Sequence, residues 1–207
     1  MNKDYCIDLF NYNRRTTREV TIGGVALGGG NEIRLQSMTN TNTLDTDASV
    51  AQIERIADAG GDLVRLTAQG VKEAENLENI HEKLRSEGYT TPLVADIHFN
   101  PKAAEEAAKH VEKVRINPGN FSKNPEETEE KLKKLIDICN EHKTALRIGV
   151  NHGSLAQHVM DKYGDTPQGM AESAMEYLRL CHKLGFDNVV VSMKASNTMV
   201  MVESVRI

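Results

Sequence analysis

The sequence predicts an α/β fold, a (β/α)8 barrel of which this chain holds about six βα units behind an N-terminal hairpin. From Glu32 onward, strand-like and helix-like segments alternate at intervals of about 30 residues, which is typical of βα units around a parallel sheet. No glycine-rich dinucleotide loop accompanies these units, so a barrel is favoured over a doubly wound sheet. A complete barrel takes about 250 residues, so we expect a chain of 207 residues to end roughly two units early.

The composition limits the class of protein. With 207 residues, of which 39% are hydrophobic, the chain can bury the core of one domain. It has no run of about 18 apolar residues and no signal-like start, so we expect a soluble, cytoplasmic protein that does not bind membranes. The net charge of -5 argues against general nucleic-acid binding. Cys6, Cys139 and Cys181 lie far apart without a C-x-x-C pair, so we interpret them as buried thiols and not as metal ligands.

Residues 1–31 are interpreted as an N-terminal extension that ends in a hairpin, and residues 32–207 as the partial barrel. Gly23 and Gly24 supply the positive φ angle that a tight turn needs. Gly28 to Gly30 lead into a strand and not into a helix, so they do not form a dinucleotide-binding loop.

Six barrel strands follow the hairpin. They are predicted at Ile33–Met38, Asp62–Thr67, Pro92–Ile97, Lys113–Asn117, Ala145–Val150 and Asn188–Ser192. Asn100 and Asn124 each precede a proline, which is the arrangement of a capping residue before the first turn of a helix. Gly60, Gly88 and Gly185 are predicted to end helices. The first and last strands would remain unpaired edges unless another segment closes the ring.

Polar side chains recur where the predicted strands end, and this end of the barrel carries the active site in this fold. Because side chains along a strand alternate between its two faces, these polar residues share one face of their strands. The sets are Arg65 with Thr67, Asp96 with His98, Arg115 with Asn117, Arg147 with Asn151, and Lys194 with Ser192 and Ser196. The apolar residues between them are expected to pack outward under the helices, namely Leu66, Ile97, Ile116 and Ile148.

The charges of this set predict an anionic ligand. Three arginines and one lysine face a single evident carboxylate, Asp96, and such an excess of charge is costly in a low-dielectric site. Arginine's planar guanidinium suits paired phosphate oxygens, so we predict a diphosphate site. Its side chains are Arg65, Arg115, Arg147 and Lys194, with Asn117, Asn120, Asn151, Ser154 and Ser196 completing the oxygen contacts. The alternative is that the arginines form internal salt bridges with acids at the strand ends.

His98 and Asp96 are the candidate catalytic groups. His98 could donate to a ligand oxygen or act as a general acid, and a structural hydrogen bond is the alternative. Gly119 and Gly153 either let the backbone approach the ligand or serve as turn residues.

A family resemblance runs along nearly the whole chain. The strings QSMTNTNTLD, VRLT, PLVADIHF, VRINPGN, RIGVNHGSL and SMKAS, in this order, resemble the 4-hydroxy-3-methylbut-2-enyl diphosphate synthases, which are iron-sulfur reductases of the non-mevalonate pathway. The opening RRTTREVTIGGVALGG is similar to the long form of this family, found in plants and some bacteria, which carries an extra domain after the barrel.

The resemblance implies a function and a cofactor. It implies that the barrel binds 2-C-methyl-D-erythritol 2,4-cyclodiphosphate, whose ring is opened by two electrons while its hydroxyl leaves as water. It places a 4Fe-4S cluster in a C-terminal domain absent from this chain, and an acid-base glutamate beyond Ile207. This chain alone is then expected to be inactive. Flavodoxin or ferredoxin is the implied electron donor, and a homodimer is one implied assembly.

The same resemblance assigns roles to residues of this chain. Arg65, Arg115, Arg147 and Lys194 match the family's diphosphate-binding set, with Asn117, Asn151, Ser154 and Ser196 nearby. Asp96 and His98 match its ADIHF motif. Two other classes stay open, namely a transferase barrel similar to dihydropteroate synthase, which needs no iron, and a non-catalytic diphosphate-binding module.

Overall fold

The computed structural model describes Asp8, residues 10–122 and residues 124–207. Its first element is an antiparallel hairpin of β1 (Val20–Ile22) and β2 (Val25–Leu27), in which Gly23 turns with a φ of 56°. The prediction of a hairpin turn at this position is therefore confirmed. Cys6 lies outside the described residues.

The hairpin covers the amino-terminal end of the sheet. Val20 and Ile22 form a small core with Leu63, Val94 and Ala145, which lie at or next to the amino-terminal ends of their strands. The side chain of Asn188 pairs with both backbone polar groups of Thr21, at 3.0 and 3.1 Å, and fixes the hairpin to the start of the last strand.

Six parallel strands form the main sheet in the order in which they occur along the chain. They are β3 (Gln36–Met38), β4 (Leu63–Thr67), β5 (Leu93–Asp96), β6 (Lys113–Ile116), β7 (Ala145–Asn151) and β8 (Val189–Lys194). This sheet curls into a partial barrel, so the predicted fold class is confirmed. Within the described part of the chain, β3 and β8 are its two edges.

The predicted start of the first barrel strand is wrong. Ile33 was expected to begin it, but β3 begins at Gln36. The backbone N–H of Leu35 donates to the side chain of Asp62 at 2.7 Å, and Ile33 is 72% exposed. The side chain of Ile33 is not packed, and the backbone N–H of Leu35 bonds to a side chain instead of a neighbouring strand. This segment therefore lacks the packing contacts that stabilise a strand.

Eight helices lie among the described residues. They are α1 (Thr46–Asp58), α2 (Val71–Ser86), α3 (Pro101–Ala107), α4 (Pro118–Phe121), α5 (Pro125–His142), α6 (Gln157–Tyr163), α7 (Pro167–Lys183) and α8 (Thr198–Arg206). The caps Asn100 and Asn124 are confirmed, since each side chain accepts a hydrogen bond from the second residue after it. Gly60, Gly88 and Gly185 follow α1, α2 and α7 with positive φ, as predicted. No helix in these ranges is long and apolar enough to cross a membrane.

The main core lies between the sheet and the helices. Leu66, Ile116 and Ile148 of the strands and Ile97, just after β5, are buried there, together with Leu77 of α2, Leu132 of α5 and Met170 of α7. The prediction that these strand residues pack outward under the helices is confirmed. Because neighbours along a strand alternate, the polar residues between them lie on the inner face of the sheet.

Glu112, just before β6, is a structural carboxylate at the amino-terminal end. It accepts hydrogen bonds from His81 at 3.0 Å, Arg85 at 2.8 Å and the backbone of Leu93 at 2.7 Å. Burial raises the pKa of Glu112, but these hydrogen bonds and the charge of Arg85 outweigh it and hold that pKa below its usual value. A lowered carboxyl pKa stabilises the fold above the unfolded-state pKa, and this contribution is lost as pH falls through the lowered one.

Glu112→Gln is therefore expected to lower the free energy of unfolding by about 1–3 kcal/mol at pH 7. The difference from the parent chain should shrink as pH falls below about 4.3, the ordinary carboxyl value. Urea unfolding at pH 7 and in acid measures both effects. Glu141→Gln, on an exposed position of α5, is the matched control and should change little. A loss at Glu112 that is the same at every pH would contradict the electrostatic explanation.

Candidate functional site

Strand register brings the predicted charged residues together on the inner face. Asp96 of β5 lies beside Arg115 of β6, and Arg115 lies beside Arg147 of β7. Asn151, at the end of β7, lies beside Lys194 at the end of β8. The carboxyl-terminal ends of the parallel strands thus carry a continuous polar surface.

One carboxylate is shared by two arginines. Arg115 donates to Asp96 at 3.1 Å, and the Nε of Arg65 lies 3.5 Å from the other oxygen of Asp96. The side chain of Asp96 is only 4% exposed, so both ion pairs are largely shielded from water. Arg65 and Arg115 therefore form the internal salt bridges that the sequence left open as an alternative.

Arg115 is held across β7 by a glycine. Its guanidinium donates to the carbonyl oxygen of Gly149 at 2.9 Å and to the side chain of Asn151 at 3.2 Å. A Cβ atom at Gly149 would lie 2.2 Å from the Nε of Arg115, so any side chain there would displace the guanidinium. Gly149 is a site residue that sequence reasoning missed, although strand alternation places it on the same face as Arg147 and Asn151.

Arg147 differs from the other two arginines because no carboxylate lies within ion-pair distance of it among the described residues. Its Nε donates to the hydroxyl of Ser192 at 3.0 Å. Burial and the charges of Arg65 and Arg115 lower the pKa of Arg147. Asp96 acts in the opposite direction without coming within ion-pair distance, so the charge of Arg147 is compensated only in part by the described part of the chain.

Lys194 and Ser196 lie at the exposed rim of this surface. Neither side chain has a hydrogen-bond or ion-pair partner among the residues that the structure describes. Their donors therefore face solvent beside Asn151 and are open to a ligand.

Lys113 is a buried cation of the inner face that sequence reasoning did not select. It lies two residues before Arg115, is 2% exposed, and donates to Gln36 of β3 at 3.3 Å. Burial lowers the pKa of Lys113 to about 7, and the charges of Arg147 and Arg65 act in the same direction. The period of two that selected Arg115 and Asn117 would also have selected Lys113.

Asn117 and Ser154 bond to each other. Asn117 caps α4 by accepting from the backbone of Gly119 at 3.1 Å, and its amide nitrogen donates to the Ser154 hydroxyl at 3.0 Å. Gly119 approaches the Ser154 loop so closely that a Cβ would lie 1.7 Å from its carbonyl oxygen. These groups link the ends of β6 and β7. Asn120 is half-buried on α4, and ligand contact by any of these residues stays a prediction.

His98 lies at the rim beyond Asp96. Its Nε2 is 3.9 Å from the carboxylate of Asp96, and its ring is 36% exposed. The exposed ring of Phe99 is its neighbour, with 5.9 Å between ring centroids. This position makes His98 accessible from solvent while it stays next to the charged cluster.

The described residues do not fit a metal cluster. No group of three or more His, Cys, Asp or Glu side chains among them could hold a metal ion. Cys139 and Cys181 are buried, and burial raises the pKa of each thiol to about 12. Since thiolates and not thiols bind metals, these two cysteines are unsuited to this role.

A cavity lies at the opposite end of the sheet. It has a volume of about 830 Å³ and is lined by residues such as Thr21, Gly23, Glu112, Thr144 and Asn188. These residues surround the hairpin and the amino-terminal ends of the strands, which serve stability in barrel folds. The polar inner face at the carboxyl-terminal ends is the better candidate site.

Comparison with known proteins gives a consistent family match. Residues 17–207 match the family model described as the GcpE TIM-barrel domain. The chain is similar to curated relatives named 4-hydroxy-3-methylbut-2-en-1-yl diphosphate synthase (flavodoxin). Identity is 58% with that of Bacteroides thetaiotaomicron, over 97% of this chain and 36% of the relative, and 54% with that of Porphyromonas gingivalis, over 97% and 37%. The chain thus spans little more than a third of the length of these relatives.

Solved structures are similar in fold. A truncated 3-deoxy-D-arabino-heptulosonate 7-phosphate synthase from Thermotoga maritima matches with a TM-score of 0.58 at 10% identity, over 87% of this chain and 59% of that one. A dihydropteroate synthase from Xanthomonas albilineans, in complex with 7,8-dihydropteroate, matches with 0.57 at 14% identity, over 84% and 65%. At such low identity these likenesses show the fold alone.

Proposed function

This chain belongs to the GcpE TIM-barrel domain family, and we propose that it supplies the substrate-binding barrel of a flavodoxin-dependent 4-hydroxy-3-methylbut-2-en-1-yl diphosphate synthase. The proposed reaction is the reductive ring opening and dehydration of 2-C-methyl-D-erythritol 2,4-cyclodiphosphate in isoprenoid biosynthesis. The complete enzyme would act in the cytoplasm, with a homodimer as one possible assembly.

The observation that carries this proposal is the uncompensated positive charge at the carboxyl-terminal ends of the strands. The side chains of Arg65, Arg115 and Arg147 meet there around one carboxylate, which Arg65 and Arg115 already share. Arg147 keeps its charge without an ion pair among the described residues. A ligand with two negative charges would offset this excess, and a cyclic diphosphate carries one on each phosphorus.

The unused donors suggest which residues would contact the ligand first. Of the five N–H groups of a guanidinium, Arg147 uses one, toward Ser192, so four remain. Arg115 uses three, toward Asp96, Gly149 and Asn151, so two remain. We therefore assign the main phosphate contacts to Arg147 and to Lys194 at the rim, and a mixed binding and positioning role to Arg115.

The polar residues around these cations would complete the oxygen contacts. Asn120, Asn151 and Ser196 lie on α4, at the end of β7 and just after β8, where the strand ends meet. Asn117 and Ser154 would hold the two loops in place through their mutual hydrogen bond. His98 is our candidate for a donor to a ligand oxygen, because it is accessible and next to Asp96, while the acid-base glutamate implied by the resemblance lies beyond Ile207.

The family resemblance assigns a 4Fe-4S cluster to another domain of the complete enzyme. Among the described residues, no group of three or more His, Cys, Asp or Glu side chains could hold it. We therefore assign to this chain the binding and orientation of the substrate, and no electron-transfer step. Flavodoxin is the proposed electron donor because the curated relatives carry it in their names.

Calorimetric titration of the complete protein with the cyclic diphosphate tests the proposal. We expect saturable binding that weakens as salt concentration rises, because charged contacts carry it. 2-C-methyl-D-erythritol without phosphates is the matched control ligand and should not bind. The protein should also form product only with reduced flavodoxin. The proposed function would be contradicted by a folded protein that does not bind the cyclic diphosphate. It would also be contradicted by a protein that converts the cyclic diphosphate without iron or a reductant.

A further inference from the structure

A buried lysine lies beneath the arginines of the candidate site. Lys113 precedes Arg115 by two residues on β6, so its side chain enters the same inner face about 7 Å closer to the amino-terminal end. The ammonium group reaches across the sheet and donates to Gln36 of β3 at 3.3 Å, its one hydrogen-bond partner among the described residues. Only 2% of the residue is exposed, so bulk solvent has little access to the ammonium group.

The groups that face Lys113 offer no countercharge. From β4 and β7 they are the cations Arg65 and Arg147, and from β6 it is Arg115. Among the described residues of this face, the one acid is Asp96 of β5, which Arg115 and Arg65 already share. The hairpin below contributes apolar side chains, and β3 contributes an uncharged amide.

We propose that Lys113 is a proton-linked member of the anion site, whose amine takes up a proton from solvent when the cyclic diphosphate binds over Arg65 and Arg147. This inference rests on the proposed function. The ligand's negative charges offset the field of the arginines, so that the ammonium form of Lys113 becomes the favoured one. Only a proton moves, and no bond of the ligand changes.

The protonation state of Lys113 in the ligand-free protein determines how many protons are taken up on binding. In the ligand-free protein, burial and the two arginines lower the pKa of Lys113 to about 7, so near pH 7 amine and ammonium are about equally populated. Complete protonation on binding therefore takes up about half a proton at pH 7. Because the uptake grows as pH rises above 7, the affinity should fall with rising pH, by at most about tenfold per pH unit.

Titration calorimetry at pH 7 in two buffers of different ionisation enthalpy measures this uptake directly. The ligand is a suitable probe because each phosphorus of the ring has a single acidic oxygen and lacks the ionisation near pH 6 of a phosphate monoester. The complete protein should take up about half a proton per ligand. Lys113→Met should abolish the uptake and weaken binding, whereas His98→Gln, which removes the half-exposed ring next to Asp96, should retain the uptake.

Each outcome separates this inference from the proposed function. Saturable binding without proton uptake would overturn the role of Lys113 and leave the proposed function standing. Uptake that persists in Lys113→Met, or that disappears in His98→Gln instead, would assign the proton to another group and also overturn it. Absence of any binding would overturn both.

A second measurement needs no ligand. A lysine whose pKa is lowered in the fold destabilises the protein below that pKa, and this cost disappears as pH rises toward the unfolded value of 10.5. Lys113→Met should therefore raise the midpoint of urea unfolding at pH 6, and the gain should vanish toward pH 10. Lys133→Met on the exposed face of α5 is the control. If Lys113→Met is less stable than the parent protein at pH 6, the prediction that Lys113 is buried there without a countercharge is wrong.

Discussion

Arg147→Ala is expected to weaken binding of the cyclic diphosphate by about 10- to 100-fold, which corresponds to about 1.5–3 kcal/mol for a charged contact. At the same time the free energy of unfolding should stay the same or rise. Within the part of the chain that the structure describes, Arg147 forms a single side-chain hydrogen bond, to Ser192, and burial together with Arg65 and Arg115 lowers its pKa. Removing it takes one like charge away from the cluster. Calorimetry and urea unfolding at pH 7 measure the two quantities.

Arg115→Ala is the matched comparison, because it removes a neighbouring arginine with a different environment. Its loss removes contacts to Asp96, to the carbonyl oxygen of Gly149 and to Asn151. Among the described residues, Asp96 would then keep Arg65 at 3.5 Å and His98 at 3.9 Å, while its carboxylate stays almost fully buried. Breaking a buried ion pair in this way costs about 3–5 kcal/mol. Binding should therefore weaken in both variants, but stability should fall only in Arg115→Ala. Equal losses of stability would contradict the distinction between these arginines.

The barrel units could be predicted because their signals are local. A capping asparagine before a proline, as at Asn100 and Asn124, needs only a few neighbours to start a helix. Glycines with positive φ, such as Gly60 and Gly88, end helices for an equally local reason. The start of β3 could not be predicted in this way, because it depends on the pairing of Leu35 with Asp62, which is remote along the chain.

The site was predictable in its composition and not in its contacts. Alternation along the strands placed Arg65, Arg115 and Arg147 on one face without knowledge of the fold. Which of them shares Asp96 depends on the register between strands, and the sequence contains no direct signal for that register. Asn117 and Ser154 were predicted as ligand contacts from their positions. Their mutual hydrogen bond joins residues that lie 37 positions apart, so it appeared only in the structure.

Lys113 and Gly149 show two different reasons for missing a site residue. Lys113 carries the same alternation signal as Arg115, and it was overlooked because it lies at the start of its strand instead of the end. Gly149 has no functional group, and its importance lies in the space that it leaves for the guanidinium of Arg115. Such a steric requirement follows from coordinates and not from residue type.

Gly119→Ala is expected to lower the free energy of unfolding by about 3 kcal/mol, the upper end of the usual range for overpacking. The new Cβ would lie 1.7 Å from the carbonyl oxygen of Ser154 and 2.8 Å from its carbonyl carbon. Both are backbone atoms, so no side-chain rotation relieves the contact. Gly24→Ala is the control, because nothing lies within 4 Å of a Cβ there, and it should change stability by less than about 0.5 kcal/mol.

The same substitution should also disturb the site, because α4 and the loop after β7 cannot separate without breaking their links. The Asn117 amide donates to the Ser154 hydroxyl at 3.0 Å, which links α4 to that loop, and the hydroxyl of Tyr177 on α7 donates to the carbonyl oxygen of Pro118 at 3.3 Å, which fixes α4 to α7. Moving either segment shifts Asn120 and Asn151, which flank the arginines. At ligand concentrations that saturate the parent protein, calorimetry on Gly119→Ala should show weaker binding. If Gly119→Ala is as stable as the parent and binds the ligand as tightly, the two segments can move apart at little cost. Their close approach would then not define the site.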